Sequence, residues 1–218
     1  IMSSDWSSDV CSSDLQKPDT TIFFQVPDVT RILKEAAFWD IYYEHCSYFS
    51  PGSLARLFRR QQFDVIDLAR EYDDQYLMIE ARPQNGQNKY FPELEDDLDM
   101  IAQLVEDFSQ TFAQTRAFWH DTLRTRKAKG ERTVLWGSGS KGVAFLTTLG
   151  ITEEIEYTVD INPYKQGTYM AGTGQEIVGP DFLVAYKPNL VIIMNPVYRE
   201  EIQKDLAKRG LSPEIMTV

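Results

Sequence analysis

From residue 21 the chain runs Thr21-Ile22-Phe23-Phe24-Gln25-Val26 before Pro27 stops it. So nearly continuous an apolar stretch predicts a strand buried on both faces, as inside a parallel sheet. Asp28 then stands where it caps a short helix through Leu33 and Ala37. Ser50-Pro51 has the form of an N-cap followed by proline at the first helical position, with Leu54, Leu57 and Phe58 on one face of the helix it opens. Two strands follow, over 63–68 and 75–81, joined by an acidic turn at Tyr72-Asp73-Asp74. A strand, a helix and a hairpin of this kind cannot cover their own apolar faces, so they read as the second half of an α/β sheet whose first half is absent.

Residues 83–89 contain Gly86 and two asparagines with no apolar period, and they predict a linker. Beyond them Ile101, Leu104, Val105, Phe108, Phe112, Trp119 and Leu123 recur at three-to-four spacing, which predicts a long bridging helix with at most one break. Its charges suit the helix dipole: Glu93, Glu95 and Asp99 lie near the start, Arg124, Arg126 and Lys127 near the end. Gly130 terminates it, and His120 on this helix reads as a surface or packing residue.

A second α/β unit begins at Thr133-Val134-Leu135-Trp136, a strand that leads straight into Gly137-Ser138-Gly139-Ser140-Lys141-Gly142 and a helix carrying Val143, Phe145 and Leu146. Gly137, Gly139 and Gly142 fit the G-x-G-x-x-G pattern, and Asp160 ends the next strand, over 155–159, at the spacing of a residue that binds a ribose. Taken functionally, this is a dinucleotide-like loop over a helix N-terminus. Taken structurally, the same glycines let a helix pack closely on a strand. Asn162, Lys165 and Asn195 lie at strand ends, where they are candidates to hold an anionic or glycosidic group, although Asn-Pro steps are also ordinary turn chemistry.

Composition narrows the partners. A net charge of -11 on 218 residues disfavours nucleic acid or an anionic membrane surface. No apolar run approaches the roughly 20 residues that span a bilayer, and the N-terminus lacks the basic start of a signal peptide, so the expected location is cytoplasmic. Cys11 and Cys46 are too few for a disulfide framework and lack metal-ligand spacing. Ser-Ser-Asp recurs three times, ending at Asp5, Asp9 and Asp14, with no apolar period behind it. Residues 1–15 therefore resemble translated sequencing adapter, which makes residue 16 the expected middle of a longer protein.

The densest chemistry lies in Ile41-Tyr42-Tyr43-Glu44-His45-Cys46-Ser47-Tyr48-Phe49-Ser50. His45 has a side chain that accepts a proton near neutral pH, Glu44 is a carboxylate able to orient it, and Tyr42 is a phenol able to donate to a developing oxyanion. That set suits proton abstraction next to a carbonyl. The plainer reading is an aromatic-rich strand end packed into a core.

Two motifs in order carry a resemblance. Tyr42, Glu44, His45, Tyr48, Phe49 and Ser50 match the Tyr-x-Glu-His-x-x-Tyr-Phe-Ser segment of S-adenosylmethionine-dependent C-methyltransferases, the group that includes sugar-nucleotide C-methyltransferases. The Gly137–Gly142 loop, the Val-Asp-x-Asn-Pro-x-Lys-Gln-Gly run over 159–167 and the final strand and helix over 191–202 resemble the C-terminal domain of the same family. The resemblance covers about residues 20 to 218. It implies the C-terminal half of a class I methyltransferase domain over 16–82, a linker and bridging helix over 83–130, and a Rossmann-like C-terminal domain over 131–218.

It further implies His45 as the base, Tyr42 and Glu44 as its catalytic companions, and Asn162, Lys165 and Asn195 around a small-molecule substrate such as a nucleotide-linked keto sugar. S-adenosylmethionine is implied as cofactor of an intact protein, and zinc only in a part preceding this chain. Here the family's zinc cysteines and its S-adenosylmethionine glycine loop are absent, so the chain as given is expected to be inactive. Asp73-Asp74-Gln75 replaces the Gly-Gly-Ser turn usual in sugar-nucleotide members. The competing expectation is a Rossmann-like module that binds a dinucleotide or another ligand without transferring methyl. Nothing in the sequence specifies an oligomeric state.

Overall fold

The computed structural model describes residues 20–84 and 90–218; the adapter-like tail and most of the linker lie outside the described residues. The chain divides into two compact units. The first is formed by residues up to 31 and 47–104, the second by 32–46 and 105–218.

In the first unit, β1 (Ile22–Pro27), β2 (Phe63–Glu71) and β3 (Tyr76–Pro83) form an antiparallel sheet in the order β1-β3-β2. The apolar run of β1 is therefore not a doubly buried parallel strand. It sits at the sheet edge with Ile22 opposite Ala81, and its burial alternates, leaving Phe23 56% exposed while Phe24 packs inward against Phe58. A continuous apolar run does not itself say whether one face or two will be covered, and here one face is. Helix α1 (Val29–Glu35) begins where Asp28 Oδ1 accepts a hydrogen bond from Thr30 N at 2.7 Å.

Helix α2 (Pro51–Arg60) starts with a reciprocal cap: Ser53 N donates to Ser50 Oγ at 3.2 Å and Ser50 N donates to Ser53 Oγ at 2.8 Å. It buries Leu54 and Ala55 on Val65, Leu68, Leu77 and Ile79. Three ion pairs reinforce this small core, Arg70–Asp28 at 2.7 Å, Arg59–Glu95 at 2.9 Å and Arg56–Asp97 at 3.2 Å. Helix α3 (Leu98–Ala128) runs unbroken for 31 residues, with Trp119 and Leu123 as its fully buried side chains.

The second unit holds five parallel strands, β4 (Thr133–Trp136), β5 (Tyr157–Val159), β6 (Glu176–Val178), β7 (Leu190–Ile193) and β8 (Glu214–Thr217), in the order β6-β5-β4-β7-β8. Helix α4 (Ser140–Leu149) connects β4 to β5, the short α5 (Leu183–Tyr186) precedes β7, and α6 (Arg199–Lys208) connects β7 to β8. Every residue of β4 and β7 is buried. Leu135 and Ile192 face a core with Phe145, Leu149, Trp119, Phe38 and Trp39, while Val134, Trp136, Val191 and Ile193 face another with Ile202 and Leu206. That two-sided covering is what parallel strands require. Among the described residues no helix is long and apolar enough to cross a membrane.

Candidate active site

Residues 32–46 belong to the second unit, so the histidine segment and the glycine loop can be described in one frame. Phe38, Trp39 and Asp40 form a buried 3-10 turn, and residues 41–48, within the segment read as a strand end, form no strand. Phe38 stacks on Phe145 of α4 at 6.0 Å between ring centroids, and Lys141 Nζ pairs with Asp40 Oδ1 at 2.7 Å. The chain then makes a turn in which His45 N donates to Tyr42 O at 3.1 Å, and the rings of Tyr42 and His45 lie 4.3 Å apart.

Glu44 reaches back to the glycine loop, where Ser140 Oγ donates to its Oε1 at 2.8 Å. That hydrogen bond, with a backbone contribution and the charge of His45, holds the Glu44 carboxyl below its ordinary range. An open cleft of about 640 Å³ lies here, lined by Tyr42, Tyr43, Glu44, Gly139, Ser140 and Lys165 among others. Four residues singled out in the sequence, Tyr42, Glu44, Gly139 and Lys165, thus line one cleft, and His45 touches Tyr42 through its ring.

The glycine loop has both faces of its sequence reading. Gly137 has φ +122°, and a Cβ on it would come within 3.2 Å of Met194 Cβ. A Cβ on Gly142 would lie 2.4 Å from the Gly137 carbonyl oxygen, so this glycine sets the approach of α4 to β4. Gly139 has open space where a Cβ would project. Asp160, the candidate ribose acceptor, is occupied by its own chain. Ser138 Oγ makes a short hydrogen bond to Oδ2, Ser138 N donates to Oδ2 at 3.3 Å, Asn162 N donates to Oδ1 at 2.9 Å, and Lys165 Nζ lies 3.3 Å from Oδ2. Burial pushes the Asp160 carboxyl up, yet the Ser138, Asn162 and Lys165 donors outweigh it and hold the group below its ordinary value.

Asn162, Lys165 and Asn195 are not gathered at one place. Lys165 lines the cleft just described, whereas Asn195 lines another of about 740 Å³ with Trp136, Gly137, Asp160, Tyr198 and Arg209, near the carboxyl ends of β4, β5 and β7. Both asparagines also shape turns: Asn162 Oδ1 accepts from Tyr164 N at 3.0 Å and Asn195 Oδ1 from Val197 N at 3.2 Å. Sequence reasoning passed over Asp40, Ser138, Ser140 and Lys141. The spacing of three polar residues inside the glycine motif was visible, but their partners lie about a hundred residues away or beyond the next strand.

Comparison with known proteins agrees with both motifs. Residues 80–211 match the family model of the C-methyltransferase C-terminal domain, and residues 11–68 match that of a methyltransferase domain. The C-methyltransferase NovU of Streptomyces niveus is 27% identical over 213 residues, which cover 91% of this chain and 50% of NovU. The chain thus spans about half the length of that curated relative.

Proposed function

Because the chain belongs to the family of the C-methyltransferase C-terminal domain, we propose that it serves an S-adenosylmethionine-dependent methyltransferase that methylates carbon next to a carbonyl, in a substrate such as a nucleotide-linked keto sugar. The observation that carries this reading is the cleft shared by Tyr42, Glu44 and Lys165, with the His45 ring tilted against that of Tyr42. A relative named as a C-methyltransferase supports carbon as the acceptor atom.

The chain's own part is proton transfer. His45, as neutral imidazole, takes the proton from the carbon beside the carbonyl. The Tyr42 hydroxyl donates to the oxyanion that develops as that proton leaves. Glu44, fixed as a carboxylate by Ser140, favours the imidazolium that forms next to it. Lys165 offers positive charge to an anionic part of the substrate, in competition with Asp160. Asn162 and Asn195 contribute through the turns they build.

The methyl donor does not fit the described residues. Between residues 20 and 84 the sole glycine is Gly52, and a Cβ there would meet Asp97 Oδ1 at 2.2 Å, so this backbone is already packed against its neighbour. In the second unit Asp160, the residue that would bind a ribose, is taken by Ser138, Asn162 and Lys165. The same occupation disfavours the dinucleotide reading. No step is therefore assigned to a donor bound by these residues.

The test is product analysis. An enzyme carrying residues 20–218 is incubated with a nucleotide-linked keto sugar and S-adenosylmethionine labelled with carbon-13 in its methyl group. The proposal expects a new carbon-bound methyl in the nuclear magnetic resonance spectrum of the product. Label found on oxygen or nitrogen would contradict it.

A further inference from the structure

The glycine loop that reads as a nucleotide cradle holds something else, the chain's own histidine segment. Ser140 and Lys141 are the first two residues of α4, and each grips that segment. Ser140 Oγ donates to Glu44 Oε1 at 2.8 Å, and Lys141 Nζ pairs with Asp40 Oδ1 at 2.7 Å. Phe145, a turn further along α4, is packed by Phe38 and Trp39 at 6.0 and 6.3 Å. Three points of one helix thus fix residues 38–44.

Each grip has a physical reason. Asp40 is buried, its side chain 9% exposed, and a carboxylate so far from water needs a cation close by. Gly139, the N-cap of α4, supplies no side-chain cap, and the N-terminus of a ten-residue helix favours negative charge. Glu44 brings that charge from 96 residues away in the chain.

We propose that Ser140 and Lys141 are positioning residues for the Tyr42–Glu44–His45 segment, and that the Gly137–Gly142 loop serves as the seat of this catalytic loop. The inference rests on the reading of His45 as the base, but its structural half does not need that reading. An adjacent peptide turn alone would leave the segment free to swing as a unit about residues 41–46. Anchoring Asp40 and Glu44 on one rigid helix fixes the direction in which Tyr42 and His45 face, and positioning of that kind supports catalysis.

The experiment compares wild type, Ser140→Ala, Lys141→Met and Lys141→Arg in the 218-residue chain. Amide hydrogen exchange of residues 38–46 is expected to speed up about tenfold or more in Ser140→Ala and Lys141→Met, with the amides of β4 and β7 unchanged, and Lys141→Arg is expected to restore protection. Ser140→Ala is also expected to move the Glu44 carboxyl titration, followed by carbon-13 resonance, back toward the ordinary range. Placed in an enzyme carrying residues 20–218, the two disabling variants should lower kcat and leave KM near its wild-type value. Unchanged exchange in 38–46 together with an unmoved Glu44 titration would overturn the proposal. So would a raised KM with unaltered kcat, which would make these residues ligand contacts. Should His45 prove irrelevant to catalysis, the kinetic effect disappears while the exchange and titration effects persist, so the two failures are distinguishable. Ser140→Ala removes a single oxygen and keeps the test informative if Lys141→Met unfolds.

Discussion

The two units solve the problem of covering a sheet in opposite ways. In the second, β4 and β7 are buried at every position, and alternate residues enter two separate cores. In the first, β1 and β3 show alternating burial, one face is covered by α2, and ion pairs gather around a smaller apolar cluster. The contrast teaches where each unit is vulnerable. A doubly covered sheet depends on volume and shape, whereas a half-covered one depends more on whether its buried charges keep their partners.

Mutations sharpen that contrast. The largest expected effect is Phe145→Ala, because the ring is fully buried and touches Phe38, Trp39 and Trp119. A cost of about 4 kcal/mol is expected in urea unfolding. All three tryptophans among the described residues, Trp39, Trp119 and Trp136, are in the second unit, so the loss should appear in the fluorescence transition.

Next is Asp28→Ala in the first unit. Asp28 is 1% exposed and pairs with Arg70 while accepting from Thr30 N, so its removal should cost about 3 kcal/mol. Circular dichroism should register this transition early while tryptophan fluorescence keeps its wild-type midpoint. A fluorescence midpoint that falls equally would break the contrast between the units.

A smaller effect is expected from Asp160→Asn, about 2 kcal/mol at neutral pH, since the charged acceptor of Ser138, Asn162 and Lys165 is lost. The sign of the pH dependence follows. The folded carboxyl titrates below its ordinary value of 3.8, so its contribution is complete above that value and is lost as pH falls through the lower folded one. Wild type should lose its advantage over Asp160→Asn in acid, as measured by urea midpoints between neutral pH and the acid limb. An advantage that grows in acid would contradict the assignment.

What the sequence disclosed follows the same division. The strand–glycine loop–helix over 133–149 and the Ser50-Pro51 start were legible because each rule involved, a G-x-G turn or an N-cap, acts within a few residues. The fully buried β4 and β7 were legible for a related reason, since both of their faces are covered. β1 misled because its composition is that of an interior strand while its place is an edge. The short strands β6 and β8 have three and four residues, too few to show a period. At the site, the residue types Tyr42, Glu44 and His45 could be read, but not the hold of Ser140 and Lys141 on the segment. That hold joins positions whose proximity is produced by the fold alone.

The account turns on proton removal by His45, and exchange in heavy water observes that step without a methyl donor. With a nucleotide-linked keto sugar in deuterium oxide, an enzyme carrying residues 20–218 should catalyse replacement of hydrogen on the carbon beside the carbonyl. His45→Gln should slow this replacement at least about a hundredfold. Equal rates for wild type and His45→Gln would contradict the account.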